Sequence, residues 1–388
     1  MILRFSVFKM VNIRFRGVEL EESAKSEEAR RRNPTADAER ELLDSVGEAY
    51  LSDTANIENW QRLAGFGIGI TSLLIEDFLT HPFIVIRRQC MVNSAAVFYH
   101  LTPFSVCHIM VQIKRKQGLS TFWKGQGSRL AVRGMNVLTE MVISESTSEQ
   151  LPREISRSSS TLTQLAGHII GKSISIVLTL PFNTASIAET VQTEQIEKKR
   201  HFFTFVKEEI FRLIGWQNST KGYGRLLPLW ALIPPTLLHG LVHYIITSCL
   251  QHLILIQHKK ANQEDSRQHS MVEAYFPELM ASLTGTVLTE TLLYPLETVM
   301  YRLHLQGTRT MIDDTDNGYA VVSLCTNYDG FLDCFSRIKT EEGLTGFYKG
   351  FGALLLQYLV QFLVLRFTKG IYKAISHDFQ GDSIDANK

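Results

Sequence analysis

Three apolar segments of this 388-residue chain carry a proline at corresponding positions. The segments read HPFIVIRRQ, LPFNTASIAE and YPLETVMYRLHLQ, and Phe or Leu follows each proline. Pro82, Pro181 and Pro295 are separated by 181 − 82 = 99 and 295 − 181 = 114 residues. A decapeptide recurs as well, as KQGLSTFWKG from Lys116 and EEGLTGFYKG from Glu341. Because the period and the order of the motifs agree, the chain is predicted to contain three repeats of about 100 residues.

Six apolar segments accompany these repeats, and their lengths indicate membrane helices. Several are long enough to cross a hydrocarbon layer of about 30 Å as a helix. A soluble helical bundle is the alternative, but the nearly uncharged fourth segment favours a membrane protein. The sequence therefore predicts an all-α membrane protein with six transmembrane helices in three pseudo-symmetric two-helix repeats. The segments are Leu63–Ile86, Gly127–Ile143, Leu162–Ile187, Leu226–Ile256, Phe276–Val299 and Gly352–Tyr372.

Changes in composition set the predicted boundaries. They give a disordered, charged N-terminal arm (1–59), repeat one (60–150), a degenerate repeat two (151–262), repeat three (263–376) with a polar linker insertion at 303–328, and a C-terminal tail (377–388). Residues 1–18 are basic and acid-free, as in a presequence, although an uncleaved basic terminus is favoured. With 40 Lys and Arg against 39 Asp and Glu, nothing in the charge suggests nucleic acid. The five cysteines form no CxxC pair and indicate no disulfide framework.

Each motif of the repeat has a physical interpretation. A proline inside a membrane helix removes a backbone hydrogen bond, so three equivalent prolines predict three helix kinks. The repeated decapeptide predicts a short interfacial helix capped by glycine, with its aromatic and lysine side chains at headgroup depth. In repeat two this motif has decayed to IGWQNSTKG. The motif residues are Gly118, Trp123, Lys124 and Gly125 in repeat one, and Gly343, Tyr348, Lys349 and Gly350 in repeat three.

These motifs resemble the mitochondrial carrier family, solute carrier family 25, over residues 61–373. The resemblance implies a ring of ion pairs in which the acid of each odd-numbered membrane helix meets the base of the next. Here the acid positions are Ile84, Asn183 and Glu297, and the base positions are Arg87, Ser186 and Met300. Only Glu297–Arg87 can form an ion pair, as a residual matrix gate.

The other functional positions of the family have changed too. The second gate falls on Ile143, Ser144 and Thr147, and on Thr368, Lys369 and Tyr372, which cannot form its network. The substrate-contact positions fall on Val132 and Gln357, and Val132 offers nothing to a carboxylate or phosphate. The carrier architecture is thus predicted without most of the alternating-access machinery.

Within the family, this pattern resembles degenerate outer-membrane members. That resemblance implies a multi-pass location in the mitochondrial outer membrane and a role in fission and fusion balance, crista organisation and phospholipid supply. It implies mitofusins, the inner-membrane fusion dynamin, the MICOS complex and membrane phospholipids as partners. The alternative is a solute carrier for an unknown small molecule. A third possibility is a lipid conduit using Arg129, Arg133 and Lys172, unless these cations pair with Glu140 or Glu76.

The remaining constellations favour structural interpretations. Gly65 and Gly69 are spaced for helix packing rather than for a phosphate loop. His239 and His243 are four residues apart on a helix, but no acid or cysteine at ligand spacing accompanies them. Residues 312–316, IDDTD, lack the later glutamate of a calcium loop and are predicted as a solvated acidic loop. No catalytic site, metal site or cofactor is predicted, and the chain is not expected to be an enzyme.

Overall fold

The computed structural model describes residues 71, 73–150, 161–193, 202–214, 226–261, 271–308, 310–318 and 320–385. Three sequence-based predictions lie outside these residues. They concern the N-terminal arm with its presequence-like start, the Gly65 and Gly69 pair, and the decayed motif of repeat two from position 215 onward.

Helices dominate the described chain, in an order that repeats three times. Each repeat has a long helix, a linker helix and a second long helix, which confirms the predicted all-α fold with six long helices. The helices are α1 (73–92), α2 (Pro103–Gln117), α3 (Gln126–Gln150), α4 (Thr161–Val191), α5 (Phe202–Ile214), α6 (Leu229–Ala261), α7 (Met271–Leu305), α8 (Phe331–Arg337), α9 (Gly343–Gly346) and α10 (Phe351–Asp385).

Three of the long helices are sufficiently long and apolar to cross a membrane. The spans are Ile169–Val191 in α4, Leu229–Gln257 in α6 and Phe351–Ile371 in α10. Helices α3 and α7 carry several charged residues along their length, which lowers their hydropathy. Large apolar side chains on long helices are exposed, among them Leu138, Leu178, Leu238, Leu292 and Leu359. An apolar exterior of this kind suits contact with lipid.

The chain divides into two compact units. The first contains the described residues of Met1–Asp77, Gln257–Leu283 and Val364–Lys388. Within it, the Lys369 ammonium lies 3.9 Å from the centroid of the Phe276 ring, and the Arg366 guanidinium lies 5.9 Å from it. These are cation–π contacts between α7 and α10. Lys369, a second-gate position by resemblance, therefore contacts an aromatic ring.

The second unit contains Phe78–Ile256 and Thr284–Leu363. Its core includes the C-terminal ends of the three helices that carry the repeat prolines, α1, α4 and α7. Val92 of α1, Ala188 of α4 and Leu305 of α7 belong to one buried cluster. We call these three helix ends, with the residues packed between them, the closed end.

The polar insertion of repeat three begins as helix and continues as a β-hairpin. Helix α7 extends to Leu305, so the first residues of the predicted 303–328 insertion are helical. Strands β1 (Met311–Asp313) and β2 (Val321–Ser323) then pair antiparallel, with Ile312 opposite Val322. Ile312 also forms an isolated antiparallel bridge with Gln192, just after α4. The hairpin is therefore joined by backbone contacts to the closed end.

Candidate functional site

The two copies of the decapeptide adopt similar backbone conformations. Gly118 and Gly343 have φ angles of +88° and +75°, and Gly125 and Gly350 have φ angles of +68° and +80°. All four positions lie in the left-handed region, which glycine adopts without the penalty of a side chain. A 3₁₀ turn, Ser120–Trp123, lies between the glycines of the first copy, and α9 lies between those of the second.

The motif lysines are buried inside the protein, and their depth relative to the lipid headgroups stays a prediction. Lys349 is 1% exposed and Lys124 is 7% exposed. Carbonyl groups at a helix C-terminus have no partner within the helix and carry partial negative charge, which attracts an ammonium group. The Lys349 Nζ donates to the carbonyl oxygens of Asn93 (3.0 Å), Ser94 (3.3 Å) and Ala96 (3.2 Å), just beyond the end of α1.

Burial lowers the pKa of Lys349, and the negative charge of Glu342, 2.7 Å away, opposes this effect.

The residue before the repeat proline binds the motif lysine of its own repeat. His81 Nε2 lies 2.9 Å from the carbonyl oxygen of Lys124. The hydroxyl of Tyr294 donates to the carbonyl oxygen of Lys349 at 2.8 Å. Sequence reasoning missed this pair of contacts. The available signal was a polar residue before the proline in repeats one and three, where repeat two has Leu180.

Arg302 joins the end of α7 to both the motif and α1. Its guanidinium pairs with the Glu342 carboxylate, with 2.9 Å between Nη2 and Oε2, and its Nε donates to the carbonyl oxygen of Met91 at 2.9 Å. Burial alone would raise the pKa of Glu342, but hydrogen bonds and charge from Arg302 and Lys349 hold it below its usual value. This ion pair fixes the motif of repeat three against two helix ends.

Arg87 is the centre of a polar cluster between α1, α7 and α10. It forms an ion pair with Glu297, as predicted for the residual gate, and also hydrogen-bonds Gln357 Oε1 at 3.2 Å. The structure adds a partner that the sequence analysis did not assign, because Arg87 Nη1 donates to Glu290 Oε2 at 2.9 Å. Glu290 precedes Glu297 by seven residues, which places both on one face of α7. The ring of Tyr294 lies 5.5 Å from the guanidinium carbon.

The other predicted gate positions are neutral and mostly buried. Ile84, Ser186 and Met300 are all buried, and Ser186 Oγ lies 3.4 Å from Ser128 Oγ. None of these side chains can carry the charge that an ion pair needs. Val132, the substrate-contact equivalent of α3, is buried and apolar.

The cations considered for lipid binding have partners inside the protein. Lys172 of α4 forms an ion pair with Glu140 of α3. Arg129 Nη1 lies 3.3 Å from His81 Nδ1. For Lys172, pairing with Glu140 was the interpretation that the sequence analysis had weighed against lipid binding.

Asp313 is buried at the hairpin, so the prediction of a solvated acidic loop was wrong. Its carboxylate is 0% exposed and has protein donors in place of water. Burial alone would raise its pKa, but the Lys124 charge and the donated hydrogen bonds lower the pKa below its usual value. The donors are Gln89 Nε2 (2.8 Å), Gln117 Nε2 (2.8 Å), Lys124 Nζ (3.0 Å) and Thr193 Oγ1.

His239 and His243 lie side by side on α6, with ring centroids 6.2 Å apart. Over the part of the chain that the structure describes, no group of three or more His, Cys, Asp or Glu residues could hold a metal ion.

Comparisons with known proteins place this arrangement in a family. The profile of the family "Mitochondrial carrier protein" matches residues 60–154 and 273–379. "Mitochondrial outer membrane protein SLC25A46" from Gallus gallus is 47% identical over 324 residues, 82% of this chain and 78% of the relative. The human protein of that name is 46% identical over 82% of this chain and 76% of the relative. "Solute carrier family 25 member 46-B" of Xenopus laevis is 46% identical over 82% of this chain and 77% of the relative.

The matched ranges include both copies of the decapeptide, Arg87 and Glu297. The apolar helices fit a membrane protein, and the relatives are named as proteins of the mitochondrial outer membrane. This chain is a protein of the mitochondrial outer membrane, and it belongs to the mitochondrial carrier family.

Proposed function

We propose that the chain organises mitochondrial dynamics from within the outer membrane and does not exchange metabolites by the mechanism of its family. The observation that carries this proposal is the composition of the closed end. Where the resemblance implies three ion pairs, Glu297–Arg87 is the single charged pair, and the buried Ile84, Ser186 and Met300 occupy other ring positions.

A ring of ion pairs suits a gate because each pair can form and break as the protein changes state. Buried apolar contacts lack this property, since separating them exposes apolar surface at about 25 cal/mol per Å². Arg87 also forms an ion pair with Glu290, so the ring residue Glu297 is not its sole acidic partner among the described residues. The closed end is therefore better suited to a fixed structure than to a gate.

The proposed activities are balance of fission and fusion, crista organisation and phospholipid supply. The partners proposed are mitofusins, the inner-membrane fusion dynamin, the MICOS complex and membrane phospholipids. The proposed protein-binding segments are the N-terminal arm and the exposed part of the third linker, which includes Val321 and Cys325. Both segments lie outside the apolar spans. The Lys172–Glu140 ion pair favours a structural role for this cation over a lipid conduit.

Deletion of residues 1–59 is expected to abolish co-purification of mitofusins while leaving the helical part of the chain folded. The reason is that the predicted helices and the apolar spans begin after this arm. Co-purification from detergent-solubilised mitochondria measures binding, and circular dichroism of the purified variant checks its helix content. If the variant keeps both its helix content and its mitofusin, the arm is not the binding segment.

A solute carrier is the second candidate function, and the Arg87 cluster is the observation that favours it. Arg87, Glu290, Glu297 and Gln357 form a polar group between helices, where a small polar ligand could bind. We expect no uptake above that of empty vesicles when the purified protein is reconstituted and offered anionic, cationic and zwitterionic solutes. Saturable uptake that Arg87→Ala abolishes would establish transport and overturn the main proposal.

A further inference from the structure

The third-linker hairpin joins all three helix ends of the closed end. We propose that the β1–β2 hairpin is a lock that keeps the C-terminal ends of α1, α4 and α7 together, so that the closed end does not open. The inference rests on the proposed non-exchanging function and supplies its structural cause. It concerns only residues of the second unit.

The three helix ends already contact one another without the hairpin. Polar contacts join them in pairs, and the cluster of Val92, Ala188 and Leu305 fills the space between them. The pairwise contacts are Arg88 Nη1 to Thr190 Oγ1 at 3.0 Å, Thr184 Oγ1 to His304 Nδ1 at 3.1 Å, and Arg302 Nε to the Met91 carbonyl at 2.9 Å. The hairpin therefore binds helix ends that are packed together, rather than ends that are apart.

On the side of α1, the hairpin holds both the helix end and the loop that follows it. Three hairpin residues, Asp313, Thr315 and Asp316, bind five hydrogen-bonding groups of residues 89–100. The contacts are Gln89 Nε2 to Asp313 Oδ2 (2.8 Å), Asn93 Nδ2 to Thr315 Oγ1 (3.0 Å), His100 Nε2 with the Thr315 carbonyl (2.6 Å), and the amides of Val97 and Phe98 to the Asp316 carboxylate (2.9 and 2.8 Å).

On the side of α4, the hairpin adds a backbone link. The amide of Thr193 donates to the carbonyl oxygen of Met311 at 2.8 Å, and Ile312 forms its bridge with Gln192. Ile312 is fully buried in the same cluster as Ala188. Asp313 accepts from Thr193 of this helix end and from Gln89 of α1. One carboxylate thus joins repeats one and two.

The chain connectivity adds the third helix, because β1 begins six residues after α7 ends at Leu305. Moving α1 away from α4 would break at least one hydrogen bond to the Asp313 carboxylate and would expose the Ile312 side chain. Buried polar groups that lose their hydrogen-bond partners are strongly disfavoured, so these contacts oppose opening. The hairpin thereby supplies closing contacts at an end where most of the expected ion pairs are missing.

Thiol accessibility tests the lock without measuring transport or partner binding. The full chain, with its five cysteines replaced by serine, receives Ala188→Cys as a reporter inside the closed end. Ala353→Cys is the matched control for unfolding, because Ala353 is equally buried but belongs to a different core cluster. Restoring the exposed Cys107 alone calibrates the reagent. Each variant is reconstituted in phospholipid vesicles and reacted with a membrane-impermeant maleimide applied to both faces.

The reporter at position 188 is expected to react about a hundredfold more slowly than Cys107, since access requires local opening. Asp313→Asn, or replacement of residues 311–323 by a glycine–serine linker of equal length, should raise the reporter rate about tenfold or more while position 353 stays protected. Three results would overturn the proposal. They are rapid labelling of position 188 in the parent, unchanged protection in both hairpin variants, and equal gains at positions 188 and 353. Any of these can occur while partner binding persists, so failure of the lock is distinguishable from failure of the proposed function.

Discussion

Gly125→Ala and Gly350→Ala are expected to lower the free energy of unfolding by roughly 2–5 kcal/mol each. Both residues have positive φ angles. Each also lies against a helix of another repeat that carries a repeat proline, α4 for Gly125 and α1 for Gly350. A Cβ at position 125 would lie 2.8 Å from Thr190 Oγ1 and 3.1 Å from the Thr190 backbone nitrogen. A Cβ at position 350 would lie 2.8 Å from Cys90 Cβ. Neither neighbour can move far, because each lies on a packed helix.

The same decapeptide supplies the matched controls. Gly118 and Gly343 also have positive φ angles, but a Cβ at either would meet nothing within 4 Å. Gly118→Ala and Gly343→Ala should therefore lower the free energy of unfolding only by the cost of a side chain at a positive φ angle, about 1–2 kcal/mol. Chemical denaturation in detergent micelles, followed by circular dichroism, measures all four variants. Equal losses at the four positions would contradict the assignment of close helix contact to Gly125 and Gly350.

Asp313→Leu is expected to lower the free energy of unfolding by about 3–5 kcal/mol, as removal of one partner of a buried ion pair does. The substitution leaves the buried Lys124 ammonium without the carboxylate that lies 3.0 Å away. Asp313→Asn keeps an oxygen that can accept hydrogen bonds, so it should lower the free energy of unfolding by less than Asp313→Leu. The control is the partly exposed Asp333, which pairs with Arg337 one helical turn later, and Asp333→Asn should leave the free energy of unfolding nearly unchanged.

The contribution of Asp313 should also depend on pH with a defined sign. Its pKa is lower in the folded chain than in the unfolded chain. The stability it provides is therefore complete above the unfolded value of about 3.9 and is lost as the pH falls through the folded value. The difference in unfolding free energy between the parent and Asp313→Asn should shrink below about pH 4. A difference that grows on acidification would show that the ionised carboxylate is not what stabilises the hairpin.

Much of the fold was predictable because its signals are local. Segment lengths and the proline period predicted the long helices, since each depends on the residues of one segment. The Glu297–Arg87 pairing was predicted from a family resemblance, and these side chains do meet. The glycines of the decapeptide were predicted as cap residues, and all four have the positive φ angles for which glycine is suited.

Two features of the site that the sequence did not predict concern charged groups whose partners are distant in sequence. The sequence analysis assigned Lys349 no protein partner, but its Nζ donates to carbonyl oxygens more than 250 residues earlier in the chain. Asp313 was expected in solvent, but its donors come from two other repeats. In both cases the residue type indicated exposure, and partners contributed by tertiary contacts made burial favourable.

The sequence by itself therefore determined the repeated architecture, the membrane helices and the neutral character of most gate positions. Those features follow from composition and spacing within short segments. Only the tertiary structure decided that Glu290 shares Arg87, that Gly125 differs from Gly118, and that the third-linker hairpin is buried against the closed end. Each of these depends on which helix ends meet, and that is set by packing between repeats rather than by the residues of any one repeat.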